Sequence, residues 1–102
     1  MIAILWTYRV KPECIGTFET IYSSEGEWVE LFRQAPGFLG TELLRQSGGR
    51  YATIDRWSEP ADFDRFKARF APAYEALDRR CTALTLEEEF VGIFEVLDAQ
   101  PG

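Results

Sequence analysis

The stretch FLGTELLRQSGGRYATIDRWS, residues 38–58, contains two strand-like runs on either side of a short turn. Between the runs, Ser47-Gly48-Gly49 supplies the positive φ angles that a tight turn demands. Two such runs joined by a turn of this kind are typical of a β-hairpin. The stretch therefore predicts an antiparallel pair of strands at the centre of the chain.

The segments outside this hairpin predict a strand and a helix on each side of it. Residues 2–10 alternate with a period of two, which predicts a strand. Helical spacing then runs from Pro12 to about Gln34. Ser58 and Pro60 fit the start of a second helix, in which Pro72 predicts a kink or a restart. Residues 84–97 predict a last strand.

The predicted order is strand, helix, strand, strand, helix, strand. This is the βαββαβ order of a ferredoxin-like α+β domain with a four-stranded antiparallel sheet. We assign residues 1–97 to one domain and 98–102 to a loose tail. Two helices on one face leave the other face of the sheet bare and largely apolar. We therefore expect a homodimer in which the two sheets pack against each other.

The first predicted helix is interrupted in the stretch IYSSEGEWVELF, residues 21–32. A glycine within a helix costs roughly 1 kcal/mol relative to alanine. A break with Ser24 as N-cap and Glu27 completing a capping box avoids that cost. We therefore expect two helical pieces, with residues 22–26 as a lip and Trp28 closing a pocket behind it.

Composition excludes several classes of function. The formal net charge is −6, and the eleven Lys and Arg residues form no basic stripe, so we expect no nucleic acid or membrane partner. The chain has no histidine, which removes the commonest metal ligand and general base. No signal-peptide pattern or membrane helix is evident, so we expect a cytoplasmic protein with Cys14 and Cys81 reduced.

Three stretches make the chain similar to the antibiotic biosynthesis monooxygenase-like superfamily of dimeric α/β barrels. They are PGFLGTELLR (36–45), YATIDRWSEPADFDRF (51–66) and LTLEEEFVGIFEVL (84–97). The resemblance implies a cavity between the helices and the sheet, in which some members oxidise aromatic substrates with O2 and neither metal nor flavin. It therefore implies no cofactor and no metal here.

Other members of the superfamily degrade haem with Asn on the first strand and Trp and His on the second helix. At the matching positions this chain has Tyr8, Phe66 and Ala76. Many members that do not degrade haem have His where Phe66 stands. The resemblance therefore implies neither haem degradation of the known type nor oxygenation assisted by histidine.

Candidate catalytic residues are Asp55 and Tyr8. A carboxylate in the middle of a covered strand is unusual, and it suits a general base that removes a phenolic proton before O2 attack. The alternative, which the sequence favours, is an ion pair with an arginine on the same or a neighbouring strand: Arg9, Arg45 or Arg56. Glu42 has the same ambiguity. The EEE run at residues 87–89 is interpreted as a solvated strand end.

Candidate ligand-binding residues are mostly aromatic side chains that combine a flat apolar body with, in several cases, a polar tip. For Trp57 and Phe66 simple core packing is the stronger reading, and for Tyr22 and Glu25 it is helix capping. The candidates are Tyr22, Glu25, Trp28, Trp57, Phe66 and Tyr74.

The sequence thus predicts a dimer that binds a small aromatic or polycyclic molecule. It leaves three functions open: a cofactor-independent monooxygenase of secondary metabolism, a non-catalytic ligand-binding or sensing protein of the same fold, and a structural interaction module with a filled core and no cavity.

Overall fold

The computed structural model describes residues 1–98 and has nine elements of secondary structure. The strands are β1 (Ile2–Val10), β2 (Phe38–Gln46), β3 (Arg50–Trp57) and β4 (Thr85–Glu95). The helices are α1 (Ile15–Tyr22), α2 (Glu27–Phe32), α3 (Pro60–Arg69) and α4 (Ala71–Thr82), with a short 3-10 turn at Pro12–Cys14. The predicted tail begins at Asp98, and its residues 99–102 lie outside the described part of the chain.

The four strands form one antiparallel sheet in the order β2-β3-β1-β4. This order and the alternation of strands with helix pairs confirm the ferredoxin-like α+β fold. The hairpin between β2 and β3 forms as predicted, with Gly48 at φ 82° and Gly49 at φ 77°. Both angles lie in the region that favours glycine.

The helices cover the sheet face formed by the even-numbered residues of β1. On that face Ile4, Tyr8 and Val10 are buried, together with Tyr51 and Trp57 of β3. Cross-strand register sets this pattern, because Tyr8 lies opposite Tyr51 and so points to the same face. The core is consequently an aromatic layer between the sheet and the helices.

The break in the first predicted helix is confirmed, but its cap differs from the prediction. Gly26, not Ser24, is the N-cap of α2, and no side chain caps that helix. A Cβ atom on Gly26 would lie 2.2 Å from the main-chain oxygen of Ile21. Glycine is therefore required because the chain folds back against the end of α1, a close approach that a capping-box motif does not reveal.

The second predicted helix restarts near Pro72, as expected. α3 ends at Arg69 and α4 begins at Ala71, so Pro72 occupies the first turn of α4. Ser58 is not the cap of α3, since Glu59 holds that position. The main-chain N–H of Ser58 instead donates to the Gly37 oxygen at 2.8 Å.

The face of the sheet away from the helices is uncovered in the single chain. Cross-strand register places Leu5, Ile54, Leu44 and Phe94 on it. The edge strand β4 has large apolar side chains that are 45–60% exposed, and by register Phe94 lies on the uncovered face whereas Phe90 and Ile93 lie on the other. They are Leu86, Phe90, Val91, Ile93 and Phe94. Within residues 1–98, no helix has the length and apolar character needed to cross a membrane.

Candidate functional site

A cavity lies between the helices and the covered face of the sheet. It draws residues from all four strands and from α1, α2 and α4. Its volume is about 40 Å³, which is room for one or a few water molecules. The lining residues are Trp6, Tyr8, Tyr22, Trp28, Phe32, Thr41, Thr53, Asp55, Tyr74, Asp78 and Glu88.

Aromatic rings form a continuous wall of the cavity. The ring of Tyr22 lies 5.1 Å from that of Tyr8 and 6.2 Å from that of Trp28. Trp28 in turn meets Tyr74 edge to face at 5.2 Å and Phe32 at 5.8 Å. Such centroid distances are those of favourable aromatic pairs. The wall is therefore held in place by contacts among its own members.

Tyr8 and Thr53 form a buried polar pair on the sheet. Their hydroxyl oxygens are 3.0 Å apart and hydrogen-bonded. Burial raises the pKa of the Tyr8 hydroxyl well above its ordinary value. Tyr8 therefore stays protonated across the physiological range, and its hydroxyl can donate to a ligand or to Thr53.

Asp55 presents the carboxylate nearest the centre of the sheet. The Thr41 hydroxyl donates a 2.7 Å hydrogen bond to Asp55 Oδ1 from the facing position on β2. Burial raises the pKa of Asp55 to about 6, and the bond from Thr41 opposes this rise. A carboxyl group with such a pKa can accept and release a proton near neutral pH.

The prediction of an ion pair between Asp55 and an arginine is wrong. Each of the three candidate arginines has another carboxylate as its partner. The pairs are Arg9 with Glu87, Arg45 with Glu19 and Arg56 with Glu42. The last of these confirms the cross-strand pairing expected of Glu42. Among the described residues, Asp55 has no such partner, because it faces the cavity, whereas Glu42 and Arg56 lie on the opposite face of the sheet.

Two further carboxylates, Asp78 and Glu88, lie beside Tyr74 in the cavity lining. Burial, followed by the charge of Asp78, raises the pKa of Glu88. Burial and the charges of Asp78, Glu88 and Asp55 raise the pKa of Tyr74 to about 12. All three glutamates of the EEE run are exposed, as expected of a solvated strand end, and the middle one also lines the cavity.

The structure brings five of the eight predicted site residues together around the cavity and leaves three outside its lining. Trp57 and Phe66 are fully buried in the aromatic core, where they pack against each other at 5.4 Å. The Glu25 side chain is 76% exposed and accepts two hydrogen bonds from Arg33. It stabilises the turn between α1 and α2 from the solvent side.

Six lining residues were not among the predicted site residues: Trp6, Phe32, Thr41, Thr53, Asp78 and Glu88. Two of them were within reach of the patterns in the chain. Asp78 follows Tyr74 by four residues and so shares its helix face. Thr53 precedes Asp55 by two residues and so shares its face of β3. Thr41 and Glu88 needed the registers of β2 and β4, which the sequence does not fix.

No three Cys, Asp or Glu side chains in the part of the chain that the structure describes are close enough together to hold a metal ion. Both cysteines, Cys14 and Cys81, are free thiols, as expected.

A family model described as antibiotic biosynthesis monooxygenase matches residues 1–77. The chain belongs to the antibiotic biosynthesis monooxygenase family. This membership confirms the resemblance predicted from the sequence. A search of curated protein sequences finds no significant match to the chain.

Solved structures of the antibiotic biosynthesis monooxygenase fold superpose on nearly the whole chain. A mutant of SnoaB, a cofactor-independent oxygenase from Streptomyces nogalater, is 25% identical, with a TM-score of 0.74 over 99% of this chain and 97% of SnoaB. A mutant of MhuD with two manganese protoporphyrin IX molecules bound per active site is 22% identical, with a TM-score of 0.75 over all of both chains. Rv0793 from Mycobacterium tuberculosis is 14% identical, with a TM-score of 0.74 over 98% of each chain. At their identities, the last two likenesses establish the fold alone.

Proposed function

We propose that residues 1–97 form one domain that binds a small aromatic or polycyclic molecule in this cavity and oxidises it with O2 without a cofactor. The observation that carries the proposal is Asp55. It is a carboxylate with a pKa of about 6, held by one neutral hydrogen bond beside an aromatic wall. The likeness to SnoaB, described as a cofactor-independent oxygenase, supports the same reaction class.

In the proposed reaction Asp55 acts as general base on a phenol or an anthrone-like substrate. It takes a proton from the substrate, and the resulting anion is electron-rich enough to reduce O2. A carbon–oxygen bond forms, and the hydroperoxide then loses water to leave a quinone. For an anthrone the balance is anthrone plus O2 giving anthraquinone plus water, so no external reductant is consumed.

Tyr8 has a positioning role in this proposal. Its hydroxyl remains protonated and is fixed by Thr53, so it can donate a hydrogen bond to the substrate oxygen on which negative charge develops. The aromatic wall formed by Tyr22, Trp28 and Tyr74 would hold the flat substrate between the helices and the sheet.

The proposal includes a homodimer formed through the bare face of the sheet. That face and the edge strand β4 expose apolar side chains that a monomer would leave in water. A second copy covers the face most simply, since an isologous interface uses the same surface on both subunits.

Oxygen uptake with a panel of anthrones and quinols tests the reaction. We expect turnover by the wild-type protein and a loss of about 100-fold or more in Asp55→Asn, because general base catalysis typically contributes this much. Asp64→Asn, which neutralises an exposed carboxylate on α3 outside the cavity, is the matched control and should keep full turnover. Full turnover by Asp55→Asn would rule out the proposed base.

The alternative is a non-catalytic ligand-binding protein, and the absence of histidine from the chain favours it, because the commonest general base is missing. In either role side chains must move, since about 40 Å³ does not admit an aromatic molecule, whereas ligand pockets typically measure roughly 300–1,000 Å³. Absence of O2 uptake together with a ligand-dependent rise in Tm would leave this role. Absence of both O2 uptake and a ligand-dependent rise in Tm would count against the cavity as a ligand-binding site.

A further inference from the structure

Every charged side chain that lines the cavity is acidic. Asp55 lies on β3, Asp78 on α4 and Glu88 on β4, and the lining contains no Lys or Arg. The charges of these three carboxylates raise the pKa of Tyr74, and the charge of Asp78 raises the pKa of Glu88. Among the described residues, the charged groups in the lining are therefore all carboxylates.

The aromatic wall adds a second feature that suits a positive charge. Six rings line the cavity, and the face of an aromatic ring attracts a cation through its quadrupole. Tyr74 shows this property, since Lys67 Nζ lies 5.3 Å from its ring centroid. Within the described residues, the other five lining rings have no such contact with a Lys or Arg.

Two polar atoms in the lining, the indole nitrogen of Trp28 and Oδ2 of Asp55, make no hydrogen bond to another described residue, and they point to a ligand independently of the charges. Trp28 is 8% exposed, and its indole N–H has no acceptor among the described residues. The Tyr22 hydroxyl and the Cys81 thiol lie near that N–H, and their pKa values are affected by it, but neither is in hydrogen-bonding geometry with it. The hydrogen bond that Asp55 accepts from Thr41 uses Oδ1 and leaves Oδ2 for a ligand. Buried groups of this kind normally have a partner, which a polar ligand would supply.

We infer that the cavity selects aromatic ligands that carry a protonated amine over ligands of the same shape that are neutral or anionic. The flat body packs against the aromatic wall, and the ammonium group is held by Asp78 and Glu88. This inference rests on the proposed ligand-binding function and specifies the charge of the substrate class.

Three probes with one aromatic body and different charges test the inference. They are 1-naphthylmethylamine, 1-naphthalenemethanol and 1-naphthoate, each titrated at pH 7 and low ionic strength by calorimetry. Binding in the cavity is followed by the shift of the Trp28 indole N–H resonance in ¹H–¹⁵N spectra, assigned with Trp28→Phe. We expect the amine to bind at least about tenfold more tightly than the alcohol, and the carboxylate to bind least.

The double variant Asp78→Asn/Glu88→Gln should reduce the preference for the amine to about twofold or less. Glu75→Gln is the matched control, since Glu75 is exposed on α4 outside the cavity, and it should leave the preference unchanged. Equal affinities of the amine and the alcohol in the wild-type protein would overturn the charge preference alone. If none of the probes binds or shifts the Trp28 resonance, both this inference and the proposed ligand binding fail.

Discussion

Thr41 and Asp55 face each other across β2 and β3, and the threonine hydroxyl donates a 2.7 Å hydrogen bond to Asp55 Oδ1. A carboxylate on a covered sheet face usually has an ionic partner, because burial strongly disfavours an isolated charge. Here a single neutral donor stabilises the charge in part, so the pKa of Asp55 settles at about 6. Both the stability of the fold and the proposed chemistry should therefore depend on pH through this residue.

Asp55 should make the protein more stable at low pH than at neutral pH. Its folded pKa of about 6 lies above the ordinary value of 3.8, so the folded state binds the proton more tightly. The associated stabilisation is fully present below about pH 4 and is lost as the pH rises through 6. In Asp55→Asn this loss of stability with rising pH is absent. The variant should gain about 2–3 kcal/mol in free energy of unfolding relative to wild type between pH 4 and 7.

Urea denaturation at pH 4, 5, 6 and 7, followed by tryptophan fluorescence, measures this difference. Other carboxylates titrate equally in both proteins and cancel in the comparison. Asp64→Asn, which neutralises an exposed carboxylate outside the cavity, is the matched control. A difference for Asp55→Asn that does not change with pH would mean that the Asp55 pKa is not raised.

Loss of the Thr41 hydroxyl should raise the pKa of Asp55 further. The hydrogen bond favours the charged form, so removing it leaves burial unopposed. Thr41→Val keeps the shape of the side chain and should raise the pKa by about one unit, since hydrogen bonds to charged groups contribute about 1.5–3 kcal/mol. Thr41→Ser, which retains the hydroxyl, is the control. Titration of the Asp55 carboxyl carbon by ¹³C NMR gives both values, and an unchanged pKa in Thr41→Val would show that the bond is absent in solution.

Gly26→Ala should destabilise the fold strongly. The added Cβ would lie 2.2 Å from the Ile21 oxygen and 2.5 Å from the Thr20 oxygen, so the turn between α1 and α2 must shift. We expect a loss of more than about 2 kcal/mol, as is usual for overpacked buried positions. Gly16→Ala is the control, because Gly16 is exposed on α1 and a Cβ there meets nothing within 4 Å. It should stabilise the protein by up to about 1 kcal/mol. Equal effects of the two substitutions in urea denaturation would contradict the close approach at Gly26.

The fold was predictable because it depends on periodicity and on turn residues. The alternation in residues 2–10 and the Gly48-Gly49 turn each define an element without reference to the rest of the chain. The cap of α2 was not predictable in this way. Gly26 is required by its approach to Ile21, a contact that exists only once the chain has turned back on α1.

The site was predictable where a side chain stands out in the sequence. Asp55 is a carboxylate in a covered strand, and the structure places it in the cavity lining. The lining also contains four predicted aromatic side chains with a polar tip: Tyr8, Tyr22, Trp28 and Tyr74. Glu88 gives no such sign, because a glutamate between two others resembles a solvated strand end. Its position follows from the register between β1 and β4, which contains an irregularity between Leu5 and Trp6. A single-residue shift in register exchanges the two faces of a strand, so sequence alone does not fix this assignment.

Phe94→Glu should dissociate the proposed homodimer. Phe94 lies opposite Ala3 on the uncovered face of the sheet and is 47% exposed in the single chain. In an isologous interface each substitution occurs twice, so two carboxylates would be placed in an apolar contact. Size-exclusion chromatography with light scattering at micromolar concentration should give a dimer for wild type and a monomer for the variant. Ala76→Glu, which adds the same charge on the exposed surface of α4, should remain a dimer. A stable wild-type monomer, or a Phe94→Glu dimer as tight as wild type, would show that the sheet face is not the interface.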